Sequence, residues 1–96
     1  MSDKIRVNYP ALEDMAKHCQ MVAQHLQHTA AMANKMAAQM QNGALVGRPG
    51  DTFVQALGQL QQRTMKLSGK FIEVSNDIKQ AISDMQAADS TAGGNF

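Results

Sequence analysis

Apolar residues recur at alternating intervals of three and four along two long stretches of this chain. The first runs Leu12, Met15, Cys19, Val22, Leu26, Thr29, Ala33, Met36 and Met40. The second runs Phe53, Leu57, Leu60, Thr64, Leu67, Phe71, Val74, Ile78, Ala81 and Met85. Neither run slips, and the two threonines still offer a methyl for packing. Such spacing places residues on one stripe of an α-helix, with a heptad-like seam. The pattern therefore predicts an all-α chain: one helix over about residues 9–41, a turn over about 42–51, and a second helix over about 52–88. Residues from about 89 to 96 read as a flexible tail ending in Phe96.

Local signals agree with these boundaries. Asn8 is a good N-cap, and Pro10 fits a first turn, where its missing N–H has no partner to lose. Glu13 and Lys17 are spaced as an i,i+4 pair in the favourable order. Asn42-Gly43 suits a helix C-terminus, because glycine enters the left-handed region without a Cβ penalty. Asp51 or Thr52 is placed to cap the second helix, and Thr52 with Gln55 matches a capping box. Gly58 and Gly69 fall inside that helix, either at close helix–helix approaches or simply tolerated there.

Two helices of about 33 and 37 residues, or roughly 50–55 Å each, joined by a short turn lie antiparallel. Ala30, Ala37, Ala56, Ile72 and Ile82 widen the stripes beyond what one neighbour covers. The fold expected is thus an antiparallel helical hairpin that pairs with a second hairpin into a four-helix bundle. The expected bundle core is Leu12, Met15, Cys19, Val22, Leu26, Met36 and Met40 on the first helix. On the second it is Leu57, Leu60, Leu67, Phe71, Val74 and Ile78.

Composition sharpens this picture. The chain has 96 residues, which is one small domain. Its 44% apolar share contains no Trp, one Tyr and three Phe, but eight Met. Such a seam is adaptable and suited to interaction surfaces. A net charge of +1 spread along the chain argues against a nucleic-acid binder. Arg63, Lys66 and Lys70 form a basic stripe, either a solvated face or a surface for an anionic partner. The opening ten residues have no apolar core of a secretory signal, and no apolar stretch is long enough to span a membrane.

Candidate chemistry is sparse. Cys19 is the single cysteine; its place in the ladder reads as a buried small hydrophobe, with an intermolecular bridge or a reactive thiol as the lesser option. His18, His25 and His28 share part of one helix but lack an evident third ligand, so they read as exposed or rim residues, with metal binding across an interface as the lesser option. Gly43 to Gly50 lacks the Lys-Ser/Thr ending of a phosphate loop. Neither a catalytic residue nor a cofactor is expected.

The layout resembles the Trp-X-Gly family, the small early-secreted-antigen-type proteins of Gram-positive type VII secretion. The resemblance rests on length, hairpin, and motifs in register over residues 5 to 96. Leu45-Val46-Gly47 stands as the turn triplet, Phe53 lies six residues after Gly47, and Met85-Gln86-Ala87-Ala88-Asp89 stands where the family has Tyr-x-x-x-Asp/Glu. Leu45 thus replaces the turn Trp, and Met85 the export Tyr. The resemblance implies a turn motif of Leu45, Gly47 and Phe53, and an export tail of Met85, Asp89 and Phe96. It also implies a dimer with itself or with a paralogous hairpin, recognised by the type VII secretion ATPase. The protein would be secreted or held at the cell surface of a Gram-positive-type bacterium without a cleaved signal peptide, and cytoplasmic before export. Two other roles stay open: a targeting chaperone paired with the helical N-terminal domain of a larger toxin or effector, and an intracellular coiled-coil adaptor or metal-linked dimer.

Overall fold

Asn8 starts the first helix. Its backbone is extended, and its side-chain oxygen accepts the Ala11 amide at 3.0 Å. Pro10 follows in the first turn, where its fixed φ suits the helix. In the computed structural model, which describes residues 6–94, α1 then runs Tyr9–Gln39. It widens into a π-type turn over Met40–Ala44, closed by Gly43 at φ 102. Leu45 is extended, Gly47 turns left-handed again at φ 108, and α2 runs Arg48–Gly94.

The second helix is longer than the sequence signals suggest. It begins at Arg48 rather than near 52, because Arg48 and Pro49 already occupy its first turn. The amide of Asp51 donates to the Gly47 carbonyl at 3.2 Å. Thr52 is therefore inside the helix; its hydroxyl donates back to the Arg48 carbonyl at 3.1 Å instead of capping. At the other end helical backbone continues through Gly94, past the expected stop near 88. Gly50 is the glycine that the turn needs for space. It is buried, and a Cβ there would collide with the Leu45 carbonyl oxygen. An added Cβ at Gly58 or Gly69 would meet nothing, so neither marks a close approach.

The seam between the helices is made of small residues. On α1, Ala16, Ala23 and Ala30 are buried and Ala37 is half-buried, one per heptad. Facing them on α2, Ser68, Ser75 and Ile82 are buried, with Gln61 and Val54 half-buried. The serine hydroxyls bond across the seam: Ser68 Oγ donates to the Ala23 carbonyl and Ser75 Oγ to the Ala16 carbonyl, each at 3.0 Å. Gln27 Nε2 in turn donates to Ser68 Oγ at 3.2 Å. Such bonds form only where backbones lie close, which small side chains permit. They also satisfy hydroxyls that would be costly to bury alone.

The sequence ladders sit to one side of this seam. Alternate members lie against it: Leu12, Cys19, Leu26 and Met40 are half-buried and Ala33 is buried, as are, on α2, half-buried Leu57, Phe71, Ile78 and Met85 and buried Thr64. The members between them, Met15, Val22, Thr29 and Met36 on α1 and Phe53, Leu60, Leu67, Val74 and Ala81 on α2, are exposed. Within one chain Met15, Val22, Met36, Leu60, Leu67 and Val74 are thus not core, and Cys19 is half-buried rather than buried. The physical reason is that each stripe points midway between its neighbour and open space. The result is a ribbon of 75 × 23 × 15 Å with a radius of gyration of 21.7 Å. A globular chain of this length would have a radius near 12 Å.

Candidate interaction face

The exposed halves of the two ladders form one surface. Met15, Val22, Thr29 and Met36 each precede by one position a member of the α1 seam. Phe53, Leu60, Leu67, Val74 and Ala81 each precede by one position a member of the α2 seam. One residue is a rotation of about 100°. Because the helices are antiparallel, these rotations carry both rows to the same side of the ribbon. The half-buried Leu12, Cys19, Leu26, Leu57, Phe71 and Ile78 floor the strip between them. Met36, Phe53, Leu60 and Leu67 are each about half exposed, at 49%, 53%, 47% and 47%. These exposed apolar residues set this side of the ribbon apart.

The opposite side of the ribbon differs. Gln20, Gln24 and Gln27 of α1 line a hollow there with Ile72 of α2. Glutamines on both sides of Ala23 give that side a polar cover, so the ribbon has one apolar face and one mixed face.

At the turn end, Leu45, Val46, Gly47 and Gly50 line a hollow with Met40, Gln41, Asp51 and Val54. Leu45 remains 39% exposed and Val46 83%. Phe53 lies just inside α2 and opens the apolar row. The tail residues Met85 and Asp89 are far away. Phe53 and Met85 stand about 32 residues apart along one helix, or roughly 50 Å. A single chain therefore keeps Leu45, Gly47 and Phe53 apart from Met85 and Asp89. Phe96 lies outside the described residues.

Met85 is half-buried at the open end, and Asp89 is exposed. Asp89 does not stand alone: Tyr9 Oη donates to its Oδ2 at 2.6 Å, joining the first turn of α1 to the end of α2. The bond to the Asp89 carboxylate holds the Tyr9 phenol above its ordinary value, because losing the proton would lose the bond; desolvation and the nearby negative charge act in the same direction. Sequence reading missed this clasp. Its signal was an aromatic hydroxyl in the first turn of one antiparallel helix and a carboxylate in the last turns of the other.

His18, His25 and His28 are all exposed on α1. Among the described residues no three or more His, Cys, Asp or Glu side chains converge as metal ligands. Glu13 and Lys17 form no ion pair, while Lys70 and Glu73 do, at 3.6 Å. No helix among the described residues is long and apolar enough to cross a membrane.

The described residues thus form an extended hairpin of two long helices with one uncovered apolar side. The chain belongs to the WXG100 family, described as proteins of 100 residues with WXG, whose model matches residues 4–90. That family comprises small helical proteins associated with type VII secretion, and they are not enzymes. No curated protein and no solved structure matches the chain. The chain has no Trp, so the aromatic of the family's name is missing.

Proposed function

We propose that this protein is a non-enzymatic partner subunit of a type VII secretion system. Its apolar face docks a second helical hairpin to give a four-helix bundle, and the paired particle is what the export ATPase recognises. The observation that carries this reading is the alternate burial of the ladders. Each stripe is half covered by its own neighbour and half aimed at an absent one, as helices of a four-helix bundle require.

The two ends of the hairpin support an arrangement with turns at opposite ends. Leu45, Gly47 and Phe53 of one subunit would then stand beside Met85 and Asp89 of the other, a composite signal that one chain is too long to form by itself. On this reading the protein leaves a Gram-positive-type cell as part of the pair. Asp89→Ala then blocks export with the fold intact; normal export of that variant would remove Asp89 from the signal.

The docking role is tested by sedimentation of the wild-type chain and a Leu60→Asp/Leu67→Asp variant in about 1 M salt, where charge repulsion is screened within about 3 Å. The expected result is a helical dimer of 10.4 kDa subunits for wild type and a helical monomer for the variant. Equal association of both would contradict the proposal.

A further inference from the structure

The back of α1, the side turned away from α2, carries a row of side chains that neither the seam nor the apolar face uses. His18, Met21, His25, His28 and Met32 follow one another at intervals of three, four, three and four. Each stands two residues from a buried seam alanine: His18 after Ala16, Met21 and His25 on either side of Ala23, and His28 and Met32 on either side of Ala30. Two residues turn the helix by about 200°, so the row runs opposite the seam. All of its members are exposed, Met21 at 53% and Met32 at 44%. The exposed members of the apolar face lie only about 100° from the seam, so the row stays open when that face is covered.

Residues three and four apart on a helix are neighbours, with about 5–6 Å between their Cβ atoms. Long side chains lean toward the helix N-terminus, a direction that takes Met32 toward His28, His28 toward His25 and His25 toward Met21. The imidazole pair thus has one thioether on the turn before it and one on the turn after. No Asp, Glu or Cys stands three or four positions from either His25 or His28, and no carboxylate falls between Asp14 and Asp51. Among the described residues His, Cys, Asp and Glu side chains alone do not gather as metal ligands, so the thioethers are what complete a donor set. Thioether sulfur is a soft donor that selects copper(I), and imidazole suits copper as well, whereas magnesium, calcium and manganese want carboxylate oxygen. Structural zinc takes four ligands of the Cys, His or carboxylate kind, and this stretch offers it only an imidazole pair.

We infer that this row binds one copper(I) ion, held by His25 and His28 with Met21 or Met32 as the sulfur donor. The two possible sets, Met21-His25-His28 and His25-His28-Met32, share the histidines, so they accommodate a single ion between them. Cys19 is not part of the row; it is half-buried on the floor of the apolar face. The site lies within one helix of one chain and does not depend on the docking role proposed above.

The test is an anaerobic calorimetric titration of the full chain with copper(I), in buffer containing acetonitrile, which keeps the free ion soluble and competes weakly for it. Every chain carries Cys19→Ser, so that no thiol takes part. The expected result is one equivalent bound. Affinity should fall by at least about tenfold on adding Met21→Leu/Met32→Leu, and again by at least that much with His25→Gln/His28→Gln instead, because even changes outside a ligand shell cost about tenfold. These positions are exposed and Leu and Gln are good helix formers, so circular dichroism should show unchanged helicity. X-ray absorption at the copper edge should show sulfur and nitrogen donors together. No binding by the Cys19→Ser chain would overturn the inference. Binding undiminished by the Met21 and Met32 changes would overturn it in favour of imidazole donors alone, and binding undiminished by the His25 and His28 changes would overturn it outright. If either double variant loses helicity, the X-ray absorption decides: sulfur and nitrogen together support the inference, and either donor alone overturns it.

Discussion

The seam and the face of this hairpin are built from opposite materials. The seam holds the smallest side chains, Ala16, Ala23, Ala30, Ser68 and Ser75, and buries them almost completely. The face holds the largest, Met15, Met36, Phe53, Leu60 and Leu67, and leaves them about half exposed. Small residues bury little apolar area each, so the seam gains from closeness, dispersion and interhelical hydrogen bonds. The larger apolar area lies outside it. The chain thus uses its small residues to define its own shape and leaves its large ones uncovered along one side.

The comparison breaks most directly at the seam. Ala23→Leu forces two close backbones apart and should cost about 3 kcal/mol, at the upper end for an overpacked site; urea unfolding with the helix signal as readout measures it. Gly50→Ala drives a methyl into the Leu45 carbonyl and should cost about 2 kcal/mol. It should also perturb the turn end, visible in amide shifts of residues 44–51. Ser75→Ala removes one cross-seam bond and should cost about 1 kcal/mol. Leu67→Ala, by contrast, should change the stability of the isolated hairpin by no more than about 0.5 kcal/mol, yet weaken pairing. A large loss of monomer stability there would mean that the face already acts as core.

The smallest effect concerns the clasp at the open end. The Tyr9 phenol is raised above its ordinary value, so the protonated form is the one the fold favours. Its contribution is therefore fully present below the ordinary tyrosine value near 10, and is lost as pH rises through the raised one. Tyr9→Phe should loosen the end of α2 at neutral pH and abolish that alkaline dependence, as followed by amide exchange near Asp89. It also leaves Asp89 in place but unbound, so it separates the clasp from any role of Asp89 in export.

Much of this architecture was legible in the sequence. The 3-4 ladders revealed two helices, and Asn8, Pro10 and Asn42-Gly43 marked real ends. The stripes read as wider than one neighbour covers, and one side of each is exposed in the hairpin. The seam was not legible by the same means, because alanine and serine add little to an apolar period. The better signal was the seven-residue repeat of small residues, Ala16, Ala23, Ala30 and Ala37, opposed by Ser68 and Ser75. Ladder positions alone also could not tell which alternate members would face the neighbour and which would face outward. That depends on where two helices touch, and here the smallest residues decide it. Gly50 looked like one turn glycine among several; only the close passage of Leu45 distinguishes it.

The central claim is that this hairpin is half of a larger helical unit, and one measurement reaches it directly. The urea midpoint of the wild-type chain is followed over about 1–100 µM protein in about 1 M salt, with like charges screened. A hairpin completed by another should unfold at a midpoint that rises steadily with concentration. A midpoint that stays fixed across the range would show a chain that is complete on its own, and would contradict the account.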